Sequence, residues 1–76
     1  MRQTKIVFRR IASNEVMTPE NQCLLQQVIE LKDGVVTNLY PLVMEIPNTE
    51  WMQGQLVLRK GADGFVRAYY KGKILT

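Results

Sequence analysis

The sequence predicts an all-β fold, a small antiparallel β-sandwich or open barrel of about six strands with one long loop. Three observations predict it. Two runs rich in β-formers are each interrupted by Asp-Gly, at Asp33-Gly34 and Asp63-Gly64. Tight hairpin turns need positive φ, which Gly adopts freely and Asp tolerates. Lys71-Gly72 divides Tyr69-Tyr70 from Ile74-Leu75 in a similar way. Lastly, a chain of 76 residues has room for one domain, 1–76. Such a chain buries roughly 60% of the surface it exposes when unfolded, so its core is thin, and a thin core gains from self-association.

Thr4 to Ala12 is β-rich and reads as strand one. Ser13-Asn14 and Thr18-Pro19-Glu20-Asn21 carry turn and loop chemistry. Cys23 to Lys32 admits two readings. Thr18 can cap a helix with Pro19 at its first position, Leu24, Leu25, Val28, Ile29 and Leu31 at helical spacing, and Gly34 as its stop. Against this, Asp33-Gly34 leads straight into Val35-Val36-Thr37-Asn38-Leu39-Tyr40, which is strongly β. A two-residue turn there sets Leu31 opposite Val36 and Glu30 opposite Thr37. The hairpin is the preferred reading.

Pro41 to Gln53 is the long loop, with Pro41 and Pro47 against a central strand. Asn48 or Thr49 can cap a single helical turn through Met52. Gln55 to Lys60 and Phe65 to Tyr70 are strands joined by a turn at Gly61–Gly64. Lys73 to Leu75 closes the chain, with Tyr69 opposite Ile74 and Ala68 opposite Leu75.

Composition excludes much chemistry. There is no histidine, so imidazole-based triads and histidine zinc sites are out. The lone Cys23 forms no disulfide framework, has no imidazole base, and reads as a small semi-buried hydrophobe. No Gly-rich phosphate loop is present. Glu45 and Glu50 are a carboxylate pair of the kind any acidic loop shows. The expectation is a chain that is not an enzyme and holds no cofactor or metal. No stretch approaches the about 20 apolar residues of a membrane span, and Ile6-Val7-Phe8 falls short of the signal-peptide core of about 7. A cytoplasmic protein without a membrane partner is expected.

Net charge is +3, with basic ends and an acidic centre. Arg2, Lys5, Arg9 and Arg10 open the chain, and Arg59, Lys60, Arg67, Lys71 and Lys73 close it. These surfaces either attract the acidic centre within the fold or merge into one patch for nucleic acid. On the second reading Arg9, Arg10, Arg67, Lys71 and Lys73 hold phosphates while one of Tyr69 and Tyr70 stacks a base; adjacent tyrosines on a strand face opposite ways. Trp51, with Met52, Ile46 and Leu42, either plugs the open end of the sheet or forms an exposed anchor for a partner.

Ile11 to Val16 and Val28 to Val36, together with Gln55 to Leu58 and Gly64 to Leu75, resemble the opening and closing strands of the small β-sandwich in amidohydrolase-superfamily enzymes. In that family the halves flank a catalytic β/α barrel. Here only Pro41 to Gln53 stands where the barrel would be inserted, and the family's metal histidines have no counterpart, so no catalytic residue carries over. The resemblance implies a free-standing sandwich-like domain, its first and last strands in adjacent sheets and its basic ends together. Pro41-Leu42 and Thr49-Glu50-Trp51 also look like small uncharacterised bacterial proteins, which implies no function.

The leading expectation is a protein-interaction or self-associating module using the 41–53 loop, its partner a second copy or another protein. The alternatives are nucleic-acid binding by the basic terminal strands, and a small-molecule carrier with a pocket under the loop.

Overall fold

A computed structural model describes residues 7–76. Thr4–Ile6 of the expected first strand, and Arg2 and Lys5, lie outside the described residues. The strands are β1 (Phe8–Met17), β2 (Cys23–Lys32), β3 (Val35–Pro41), β4 (Glu50–Lys60), β5 (Val66–Tyr70) and β6 (Lys73–Ile74). They form one sheet in the order β3-β2-β1-β4-β5-β6. The sheet curls into a half-barrel, with β3 approaching β5 across its hollow. The fold is thus all-β and open-barrel-like, as the sequence predicts.

The hairpin reading of 23–41 holds. Asp33 and Gly34 have φ of 51° and 81°, and Lys71 and Gly72 have 51° and 81°, so both tight turns take two successive left-handed residues. Leu31 pairs with Val36 and Tyr69 with Ile74. Glu30, however, pairs with Asn38 instead of Thr37, because the register shifts between Glu30 and Leu31. The Asp63-Gly64 hairpin is built otherwise. Its loop closes through Gly61 N–H to the Phe65 carbonyl at 2.8 Å, and the Asp63 carboxylate accepts from Phe65 N–H at 3.1 Å.

Several expectations are corrected. β1 runs on through Ser13-Asn14 to Met17, and Ser13-Asn14 form an irregularity in the ladder to β4, not a turn. The turn comes at Thr18, whose Oγ1 accepts from Gln22 N–H at 3.0 Å. β4 begins at Glu50, where the sequence suggested a helical turn. The β1–β4 pair is parallel, so the sheet is mixed. Parallel neighbours need a crossover, which the β2–β3 hairpin and residues 42–49 provide together. Both hairpin halves join this one sheet around β1, where adjacent sheets were expected.

Alternation of side chains across the strands gives the sheet two faces. The concave face carries the core: Ile11, Val16, Ile29, Leu31, Leu56, Leu58 and Ala68, with Met52, Val66 and Tyr70 packed against it. On the outer face Tyr40, Val28, Ala12 and Trp51 fall in one cross-strand row. Ala12 and Val28 are buried there as well.

Candidate interaction groove

Residues 42–49 pass along the outer face. Leu42 N–H donates to the Gln26 carbonyl at 2.9 Å, and Arg10 Nη1 donates to the Pro47 carbonyl at 3.1 Å. Gln26 turns its carbonyl toward Leu42 by adopting φ 49°. Between this segment and β4 lies an open groove of about 520 Å³ lined by Ala12, Leu42, Glu45, Ile46, Pro47, Thr49, Glu50 and Trp51. Ala12 supplies the room, since its small side chain stands directly opposite Trp51 in the ladder.

The four residues singled out as a partner anchor divide. Leu42, Ile46 and Trp51 line the groove. Met52, the next residue along the strand, packs on the concave core instead. Trp51 is 53% exposed, so it does not plug the end of the sheet. Val43 and Met44, exposed to 83% and 70%, continue the apolar surface along the segment. Cys23 is exposed, not semi-buried, because it sits at the start of β2 beyond the core.

A ladder irregularity follows Trp51 two residues along β4. Ile11, Ala12 and Ser13 pair with Glu50, Trp51 and Met52, whereas Glu15 pairs with Gln55. Gln53 and Gly54 therefore oppose Asn14 alone, a β-bulge. Gly54 takes φ 108°, its N–H donates to Asn14 Oδ1 at 2.8 Å, and its carbonyl accepts from the buried Ser13 hydroxyl at 2.7 Å. The Tyr70 hydroxyl donates to the Gln53 carbonyl at 2.7 Å. Pro47 and Thr49 belong to the 41–53 loop that the sequence singled out, whereas nothing in its spacing pointed to Ala12. The smallness of Ala12 among bulky strand residues was the available signal.

Three of the basic residues proposed for nucleic acid, Arg9, Arg10 and Arg67, are engaged in ion pairs. Arg9 Nε and Nη2 donate to both Glu50 oxygens at 2.9 and 2.7 Å, and its Nη1 to the Thr76 carbonyl at 2.9 Å. The chain's two basic ends thus meet, but around a carboxylate. Arg10 pairs with Glu30 at 3.0 Å, and Arg67 with Asp63 at 2.7 Å. Tyr70 faces the core side while Tyr69 faces outward under Arg59, whose guanidinium lies 5.5 Å from the ring centroid. Lys71 lies over the Tyr70 ring, and Lys73 is exposed opposite Tyr70.

These contacts set the local ionisation. The Tyr40 hydroxyl, then the Arg10 guanidinium, hold the Glu30 carboxyl below its ordinary range. Arg9 does the same for Glu50. Arg67 and the Phe65 amide hold Asp63 at about 2. Among the described residues no cluster of histidine, cysteine and carboxylate side chains gathers as a metal site. No family model, curated protein or solved structure matches this chain.

Proposed function

We propose that the chain is a non-enzymatic interaction module whose outer-face groove docks a protein partner. The exposure of Trp51 beside Leu42, Ile46, Val43 and Met44 is the observation that carries this reading. A large aromatic held in a ladder and left in water costs hydrophobic free energy that covering it would recover. Tryptophan is also among the side chains that most often dominate interface energetics.

Trp51→Ala tests this. The variant should fold with a melting temperature close to the parent's, because Trp51 contributes little to the concave core. Light scattering of the parent should show either self-association that the variant loses or a monomer. In the second case, affinity capture from the host should recover a partner with the parent and not with the variant. A parent that stays monomeric and captures nothing that depends on Trp51 would sink the reading.

A further inference from the structure

We infer that the groove accepts a cationic side chain, an arginine or lysine flanked by apolar residues on an extended segment of the partner protein. This deepens the docking reading and rests on it.

Three aromatic rings elsewhere on the molecule already hold a cation. Arg10 lies 5.5 Å over the Phe8 ring, Arg59 5.5 Å over Tyr69 and Lys71 5.5 Å over Tyr70. Trp51, the aromatic type that attracts cations best, has no cation over its ring among the described residues. Glu30, Glu50 and Asp63 each hold an arginine, whereas Glu45, like Glu15, Glu20 and Asp33, makes no ion pair among the described residues. Of these four, Glu45 alone lines the groove. Glu45 and Trp51 line the same groove.

The unpaired Glu45 carboxylate and the exposed Trp51 thus share one groove with the apolar Ala12, Leu42 and Ile46. Arginine and lysine match that combination, because their apolar stems lie along hydrophobic walls while the charged head reaches a carboxylate. The exposed Val43 and Met44 continue the apolar surface beyond the reach of a single side chain. A free amine would leave them in water, whereas a peptide with apolar neighbours covers them. The charge complementarity points to a basic partner, away from nucleic acid.

The test is selection of a random twelve-residue peptide library displayed on phage against the intact chain. Binding of the selected peptides, each carrying a fluorescein label, is then measured by fluorescence anisotropy. The selected sequences should share an arginine or lysine between apolar residues. Glu45→Gln should weaken them about tenfold, the scale of one charge-assisted contact, and Glu45→Lys more. Both variants should keep the parent's far-UV circular dichroism, since Glu45 is exposed. Selected peptides that need Trp51 but carry no basic residue, and bind Glu45→Lys as well as the parent, would overturn the inference and leave the docking reading standing. Peptides that bind Trp51→Ala unchanged would remove the docking reading itself. N-acetylarginine amide binding as tightly as the best peptide would overturn the peptide assignment.

Discussion

Asp63 shows how much one turn carboxylate is asked to do. It accepts from Arg67 Nη1 and Nη2 at 3.1 and 2.7 Å and from Phe65 N–H at 3.1 Å. Its folded pKa of about 2 lies below the ordinary aspartate value. The stabilisation is therefore complete above the unfolded pKa near 4, and is lost as pH falls through about 2. A carbon-detected NMR titration should place the Asp63 inflection near 2, and Arg67→Gln should return it toward about 4. An inflection already near 4 in the parent would show that the pair does not form in solution. Glu45 and Trp51 differ from Asp63 in having no such partner among the described residues, which is why they are the proposed contacts.

The bulge at Gly54 is the element-scale counterpart. An added Cβ at Gly54 would meet nothing within 4 Å, yet φ is 108°. Gly54→Ala should thus destabilise by backbone strain alone, about 1–3 kcal/mol in urea denaturation. An unchanged midpoint would mean that the ladder shifts to a regular register. Gly54 also shows why the sequence was legible only in part. Asp33-Gly34 and Lys71-Gly72 are local signals, and the structure takes both as two-residue hairpin turns. Ser13-Asn14 carried an equally local turn signal, but a distant strand overrode it: Asn14 serves Gly54 and Ser13 serves the Gly54 carbonyl. The exposure of Trp51 was undecidable for the same reason. It depends on the β1–β4 register, and no nearby residue encodes a parallel pairing across half the chain.

At the scale of the whole molecule the half-barrel is thin, measuring 44 × 32 × 19 Å. Its core depends on residues from β1, β2, β4 and β5 meeting on one concave face. Leu56, fully buried on β4, belongs to that shared core. Leu56→Ala should cost about 2–5 kcal/mol in urea denaturation, enough to unfold much of so small a domain. A loss below about 1 kcal/mol would mean that β4 is not packed as described. The opposite faces differ: the concave one carries the shared core, and the outer one leaves Trp51, Val43 and Met44 exposed.

The parallel β1–β4 pair also imposes an order of assembly. β1, β2 and β3 are consecutive antiparallel neighbours, so their zipping closes only short loops. Ile11 must wait for Glu50, a separation of 50 − 11 = 39 residues. The entropy of closing that span favours the three-strand meander as the early nucleus, with the later strands docking onto it. A ribosome-bound chain that has emerged only as far as the meander would hold one flank of β1 open, its backbone edge offered to any extended polypeptide until β4 arrives.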